Sequence, residues 1–177
     1  AAGILAVGMQ ADHRPAGAEV RRGLAPLLVV CLGSLLGPLD GSVNVAFPAI
    51  TRAFGLALAE IQWIVVSYIL VQSALALAFG KLGDQFGHRR VFLAAMWIAI
   101  VAFLADGFAA TYPMLIGTRA LQGIAVGLAL ASGPALATLM YPESRKREIV
   151  ALYVSLTSFG AAFGPLIAGA LVDWIGW

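Results

Sequence analysis

Long apolar runs recur along this chain and limit the folds open to it more than any other feature does. Each run has about 18 or more residues, enough for a helix to cross a hydrocarbon core about 30 Å thick. Of the 177 residues, 61% are hydrophobic and 11% are charged, whereas a soluble domain averages about 25% charged residues. The sequence lacks the short alternating segments that build membrane barrels. It therefore predicts an all-α, multi-pass membrane protein whose surroundings are a lipid bilayer.

Apolar length and helix-breaking residues divide the chain into a tail and five transmembrane helices. Residues 1–23 are predicted to be a disordered tail, because the apolar stretch within them is too short to span and a polar stretch follows it. Residues 24–177 are predicted to form a helical bundle. Its five helices are expected at Leu24–Ala49, Ile61–Phe79, Val91–Phe108, Met114–Met140 and Ile149–Val172.

Basic residues alternate between the predicted loops. Three groups fall on one side of the membrane, namely Arg14, Arg21 and Arg22, then Lys81, Arg89 and Arg90, then Arg145, Lys146 and Arg147. The opposite loops carry Arg52 with the acidic residues Glu60, Asp106 and Asp173. Because positive loops stay in the cytoplasm, the N-terminal tail is predicted to be cytoplasmic. With five helices the chain ends outside, which favours an N-terminal fragment that lacks the C-terminal part of the same chain. The dispersal of the basic residues argues against a nucleic-acid partner.

Two charged residues interrupt the predicted helices, Asp40 in the first and Arg119 in the fourth. A charged side chain costs about 2.5–3.5 kcal/mol at the centre of a membrane helix, so it is expected to face a partner or a wet cavity. The first helix runs outward and the fourth runs inward, which places both residues in the outer half of the membrane. We predict that they form an ion pair. The alternative is that Arg119 extends toward the outer headgroups.

Polar residues accompany both charges. Asn44 lies one turn after Asp40, and Gln122 lies three residues after Arg119. We expect these two side chains, together with Gln72 of the second helix, to line a wet cavity. The opposite face of the fourth helix is expected to contact lipid and consists of Leu121, Ile124 and Leu128.

The segment GKLGDQFGHRR, residues 80–90, lies between the second and third predicted helices. Its glycines favour a tight turn, and its basic residues fit a cytoplasmic loop. The order of its residues resembles the loop between helices two and three of the major facilitator superfamily, with matches at Gly80, Leu82, Asp84, Gly87, Arg89 and Arg90. Gln85 and His88 stand where basic residues are usual. The resemblance implies a gating loop in which Asp84 pairs with basic groups and favours one access state. His88 is expected to be solvated.

The fourth and first helices extend this resemblance. The run Arg119, Gln122, Gly123 and Gly127 is similar to the fourth-helix motif of the superfamily, which is associated with proton transfer. The stretch LDGSVNVAFP around Asp40 resembles the pattern of the fourteen-helix branch.

The fifth helix carries small residues in a recognisable order. Gly160 and Gly164 form a strip on which a neighbouring helix can pack closely. With Pro165 and Gly169 they resemble the fifth-helix motif that marks exporters of the superfamily, chiefly drug:proton antiporters.

The resemblance implies two six-helix bundles that move around a central site, of which this chain supplies five helices of the incomplete N-terminal bundle. It implies proton-coupled efflux of drugs or small metabolites across a bacterial inner membrane. Asp40 would exchange a proton for substrate or for its salt bridge with Arg119. An uptake symporter of the same fold and a membrane sensor or assembly subunit that does not transport remain alternatives.

The sequence contains no nucleotide-binding loop, metal-ligand cluster or nucleophile triad. We therefore predict that the protein is not an enzyme and binds no cofactor and no metal. Its expected partners are a small-molecule substrate and protons.

Overall fold

The computed structural model describes residues 25–175, and the predicted tail, 1–23, lies outside this range. The described residues fold into helices and contain no strand. Within this range five helical segments are long and apolar enough to cross a membrane. The prediction of an all-α fold with five transmembrane helices is therefore confirmed.

The elements follow one another through short connections. The first spanning segment, Ala25–Phe54, is assembled from four pieces. These are α1 (Ala25–Ser34), α2 (Leu36–Asp40), a 3₁₀ helix (Gly41–Ala46) and α3 (Phe47–Phe54). The other spans are single helices, α4 (Leu58–Phe86), α5 (His88–Gly107), α6 (Tyr112–Leu139) and α7 (Lys146–Ile175), with a 3₁₀ turn at Glu143–Arg145 before α7.

Helices α4 and α7 run beyond their apolar cores at both ends. The sequence places the corresponding helices at 61–79 and 149–172, whereas the structure gives Leu58–Phe86 and Lys146–Ile175. Apolar length marks only the part of a helix that crosses hydrocarbon, while backbone hydrogen bonding continues into polar turns. The ends of these helices therefore carry charged residues in helical conformation.

Two prolines explain why the first span is not one regular helix. Pro38 has no N–H to donate to the carbonyl of Ser34, and its ring clashes with that carbonyl. Helix α1 accordingly ends at Ser34. Pro48 likewise cannot donate to the carbonyl of Asn44, which lies in the 3₁₀ helix. The prediction of a single continuous first helix is thus corrected, and the helical register changes between Asp40 and Asn44.

Helix α6 lies in the centre of the bundle, where it packs against the first span, α4, α5 and α7. Its glycines permit this crowding, since small residues let neighbouring backbones approach closely. A Cβ built on Gly133 would lie 2.6 Å from the hydroxyl oxygen of Ser34 and 2.8 Å from that of Tyr153. Leu128 is buried, with 6% of its surface exposed. The expectation that Leu128 contacts lipid is wrong, because α6 has neighbours on both faces.

Candidate functional site

Asp40 and Arg119 meet inside the bundle. Nη1 of Arg119 donates to Oδ1 of Asp40 at 2.8 Å. Each residue exposes only 6% of its surface. Asp40 is the last residue of α2, and Arg119 lies in the third turn of α6. The structure thus places the two predicted partners together and leaves Arg119 pointing into the protein, away from the headgroups.

A second carboxylate completes this ion pair from the end of α5. Oδ2 of Asp106 lies 2.8 Å from Nη2 of Arg119 and accepts a hydrogen bond from Nε2 of Gln122 at 2.7 Å. Its Oδ1 accepts a hydrogen bond from the hydroxyl of Thr118. The Thr118 hydroxyl also contacts the carbonyl of Leu115, 2.8 Å away. We call Asp40, Asp106, Thr118, Arg119 and Gln122 the charge cluster.

Sequence reasoning missed Asp106 because it treated this residue as part of an outer loop. The available signal was its position inside the predicted third helix, two residues before the end of that helix. The structure places it in α5, which ends at Gly107, with 11% of the carboxylate side chain exposed. A carboxylate near the end of an apolar helix can turn inward when a neighbouring helix offers hydrogen-bond donors. Here Arg119 of α6 offers them to Asp106.

The charge cluster is not fully satisfied. When all its groups are ionised, two carboxylates face one guanidinium, so one negative charge is in excess. Among the described residues, Nε of Arg119 and Oε1 of Gln122 are buried and have no hydrogen-bond partner. Buried polar groups normally find partners. The cluster can therefore accept one positive charge. It can also bind a group that accepts a hydrogen bond from Nε of Arg119 or donates one to Oε1 of Gln122.

Small residues bring α6 close enough to its neighbours for these contacts to form. A Cβ on Gly123 would lie 2.6 Å from the backbone oxygen of Tyr68 on α4, and a Cβ on Gly37 would lie 3.1 Å from Cγ1 of Val126 on α6. The glycines of the fourth-helix motif thus set the spacing that the ion pair needs.

The polar residues predicted to line a cavity occupy three different environments. Gln122 is fully buried and bonded to Asp106, so it does not line an open cavity within residues 25–175. Gln72 is half-buried on α4, with its Cγ 3.6 Å from the Cβ position of Gly127. Asn44 is exposed in the 3₁₀ helix. The change of register in the first span separates Asn44 from the face that carries Asp40.

A cleft of about 380 Å³ lies beside the charge cluster. Its lining includes Asp106 and Arg119, with Val43 and Ala46 from the first span and Gly107 and Ala109 at the end of α5. The cleft therefore extends from the charge cluster to the turn between α5 and α6. Within residues 25–175, no group of three His, Cys, Asp or Glu side chains could hold a metal ion.

The segment 80–90 is helical except at one residue, which corrects the predicted loop. Helix α4 continues through Gly80 and Asp84 to Phe86, and α5 begins at His88. Gly87 alone makes the turn, with φ 86° and ψ 129°, a conformation that residues other than glycine rarely adopt. Arg89 and Arg90 are exposed in the first turn of α5.

Asp84 faces His88 across this turn. Nε2 of His88 lies 3.6 Å from Oδ1 of Asp84, whose side chain is 77% exposed. The His88 side chain is only 18% exposed. A Cβ on Gly83 would lie 2.6 Å from Nδ1 of His88, so this glycine makes room for the ring. The expectation of a solvated His88 is therefore wrong.

The glycines of α7 face the first span. A Cβ on Gly160 would collide with Cδ2 of Leu35, and a Cβ on Gly169 would lie 3.6 Å from Cγ1 of Val45. Gly164 is buried, whereas Pro165 is exposed inside the helix, which continues through it. These contacts place the small-residue strip of α7 along the segmented part of the first span.

A model of the Major Facilitator Superfamily matches residues 29–177. The chain belongs to the Major Facilitator Superfamily. The resemblance seen in the sequence motifs is thus confirmed, and the protein is a multi-pass membrane protein of this superfamily. Its five described spans fit an incomplete bundle of the superfamily fold.

The chain spans about one third of the length of the curated relatives that it matches. The riboflavin transporter RibZ of Clostridioides difficile is 30% identical over 152 residues, which are 85% of this chain and 33% of the relative. The tetracenomycin C resistance and export protein of Streptomyces glaucescens is 32% identical over 166 residues, 93% of this chain and 31% of the relative. The methylenomycin A resistance protein of Bacillus subtilis is 33% identical over 157 residues, 88% of this chain and 34% of the relative. These transporters and resistance proteins agree with the prediction that the chain is not an enzyme.

Proposed function

We propose that the chain is part of the N-terminal bundle of a longer secondary transporter, which exports drugs or small metabolites in exchange for protons. The names of its relatives support export, since one is a resistance and export protein and another is a resistance protein. Their greater length supports a complete transporter with a second bundle. Small molecules and protons are its proposed partners, and the membrane is the bacterial inner membrane.

The observation that carries this proposal is the buried pair of Asp40 and Arg119, joined at 2.8 Å. A carboxylate buried in a membrane bundle can hold a proton or an ion pair, and exchange between these two states couples proton movement to conformation. Protonation of Asp40 forms an O–H bond and breaks the ion pair. A substrate that binds more tightly when Asp40 is deprotonated favours release of this proton. Proton flow thereby drives substrate movement in the opposite direction.

The proposed orientation follows from charge. The turns at Gly87 and at Glu143–Arg145 lie at the same end of the bundle and carry Arg89, Arg90 and Lys146 nearby. Positively charged turns stay cytoplasmic, so this end faces the cytoplasm. The cleft beside Asp106 then faces the outside. Asp84, with Gly80, Gly87 and the two arginines, forms the cytoplasmic gate.

The glycines of α7 contribute to the proposed movement. Gly160, Gly164 and Gly169 lie against the first span or are buried, so α7 and the first span can slide closely past each other. Pro165 leaves one backbone carbonyl of α7 without its usual N–H donor and permits a bend. This helix pair is the proposed element that changes packing during transport.

Export can be tested in everted membrane vesicles that contain the complete transporter. Energised vesicles should accumulate at least one compound from a panel of antibiotics and flavins, and accumulation should collapse when the proton gradient is dissipated. Asp40→Asn should abolish this coupled accumulation, while Asp40→Glu should retain part of it. Uptake into whole cells with no accumulation in vesicles would instead support the symporter. Vesicles that move none of a panel of antibiotics and flavins, in the presence of a proton gradient, would favour the sensor or assembly subunit.

A further inference from the structure

Asp106 faces Arg119 from α5, and the exchange proposed above at Asp40 assigns no role to it. Yet Asp106 is the best-bonded carboxylate of the charge cluster. Oδ2 lies 2.8 Å from Nη2 of Arg119 and 2.7 Å from Nε2 of Gln122, and Oδ1 accepts from Thr118. Three donors from α6 thus converge on one carboxylate, which fixes its position beside Arg119.

We propose that Asp106 is the permanent counter-ion of Arg119, which keeps the guanidinium paired while Asp40 carries the proton. The inference rests on the proposed function and names a positioning residue for it. Asp106 does not carry the transported proton. Its role is to make protonation of Asp40 energetically accessible.

Charge balance explains the need for such a residue. With Asp40 ionised, the cluster has one negative charge in excess. A proton on Asp40 makes the cluster neutral, and Arg119 keeps its partner Asp106. Without Asp106, the same proton would leave a buried guanidinium with no counter-ion, and an uncompensated buried charge is strongly unfavourable. The second carboxylate therefore allows Arg119 to exchange one partner without becoming unpaired.

The surroundings of Asp40 leave few other groups that could take this role. Its charged and titratable neighbours are Arg119 from α6, Asp106 from α5 and Tyr68 from α4. A phenol ordinarily remains neutral at pH 7, because its reference pKa is about 10. Asp106 is thus the one acidic neighbour of Arg119, besides Asp40, among the described residues.

The proton step is simple in chemical terms. A hydronium ion gives its proton to the Asp40 carboxylate, which forms an O–H bond there and leaves a water molecule. The hydrogen bond between Nη1 of Arg119 and Oδ1 of Asp40 is lost. Arg119 stays protonated and bonded to Asp106. The cleft that Asp106 and Arg119 line gives water a place beside the cluster. Release of the proton restores the Asp40–Arg119 contact.

Infrared difference spectroscopy on the purified complete transporter can follow the protonated carboxyl directly during a pH titration, with no substrate added. Besides the signals of exposed carboxylates, the wild type should show a titrating carboxyl band that Asp40→Asn removes. In Asp106→Asn, the midpoint of this band should move about one pH unit or more to lower pH, which is at least tenfold weaker proton binding. Asp106→Glu, which retains the charge, should keep the midpoint close to that of the wild type. The exposed control Glu143→Gln should leave the midpoint unchanged.

A double variant separates charge balance from a structural effect. Adding Arg119→Gln to Asp106→Asn removes the cation that would be left unpaired, so the midpoint should return toward higher pH. Size-exclusion profiles establish that each variant is folded. If Asp106→Asn is not monodisperse, Asp106→Ser supplies a second neutral variant for the same comparison.

Two results would overturn the role inferred for Asp106 and leave the proposed function intact. One is an unchanged midpoint in both neutral Asp106 variants. The other is a band that survives Asp40→Asn and disappears in Asp106→Asn, since Asp106 would then carry the proton itself. A wild-type protein whose titrating carboxyl bands all survive both Asp40→Asn and Asp106→Asn would reject the proton site of the proposed function, which is a separate failure.

Discussion

Gly123 on α6 packs directly against the backbone of Tyr68 on α4, so that a Cβ at Gly123 would lie 2.6 Å from the Tyr68 carbonyl oxygen. Backbone cannot move aside as a flexible side chain can. This contact therefore sets the separation between α4 and α6, the helix that carries Arg119. The position of Arg119 depends on this separation.

Gly123→Ala should destabilise the protein by about 1–3 kcal/mol, because overpacking at a rigid contact forces the helices apart. Thermal unfolding of detergent-solubilised protein measures the effect. Gly117→Ala is the matched control on the same helix, since a Cβ there would have no neighbouring atom within 4 Å. Equal melting temperatures for the two variants would contradict the close approach of α4 and α6.

Two replacements of Arg119 should show how much its charge and its planar shape each contribute to the stability of the protein. Arg119→Lys keeps the charge but cannot hold two carboxylates with a planar fork, so it should cost about 1.5–3 kcal/mol, the value of one hydrogen bond to a charged group. Arg119→Gln leaves both carboxylates without their cation and should cost about 3–5 kcal/mol. Unfolding in mixed detergent measures both values. Arg89→Lys, at an exposed position, should change little, and a neutral effect of Arg119→Gln would show that the buried ion pair does not form.

Gly87→Ala tests the turn between α4 and α5. Gly87 has φ 86°, and an alanine held there should cost about 1–3 kcal/mol. Gly80→Ala provides the comparison seven residues earlier, since Gly80 lies inside α4 and its Cβ position has no neighbour within 4 Å. Alanine is favoured over glycine within a helix by about 1 kcal/mol. We therefore expect a lower melting temperature for Gly87→Ala and an equal or higher one for Gly80→Ala, and the reverse order would exclude this turn geometry.

Two glycines of α7 should differ in how strongly they affect transport. A Cβ at Gly160 meets the end of the Leu35 side chain, whereas a Cβ at Gly169 makes an ordinary contact with Val45. Gly160→Ala should reduce proton-coupled export by roughly tenfold, equivalent to about 1.4 kcal/mol in the barrier for movement of α7 against the first span. Gly169→Ala should remain near the wild type. Vesicle accumulation at equal expression measures both, and restoration of export in Gly160→Ala by Leu35→Ala would identify the contact responsible.

Much of the fold follows from local properties of the sequence. The number of spans follows from apolar length, and the match of Asp40 with Arg119 follows from their depths in antiparallel helices. The cost of a charge in hydrocarbon acts on each helix separately, so it can be evaluated residue by residue. The breaks in the first span could also have been located, because Pro38 excludes a hydrogen bond to Ser34 in any regular helix.

Other features depend on how the helices are arranged around one another. Leu128 lies on an apolar face that suits lipid equally well, and only the central position of α6 makes it buried. Asp106 lies two residues before the end of the predicted third helix, and only the packing of α5 on α6 brings it to Arg119. His88 is partly buried because α4 stays helical up to Phe86 and Gly83 leaves room for its ring.

The sequence by itself determined an all-α membrane protein with five spans and two buried opposite charges, because hydrophobic length and the cost of burying charge act locally. Its motifs indicated the Major Facilitator Superfamily by resemblance. Only the tertiary structure decided that the charge cluster has a second carboxylate, since that depends on which face of α5 meets α6. Helix faces are chosen by the joint packing of all neighbours. The spacing of residues along one helix does not contain that choice.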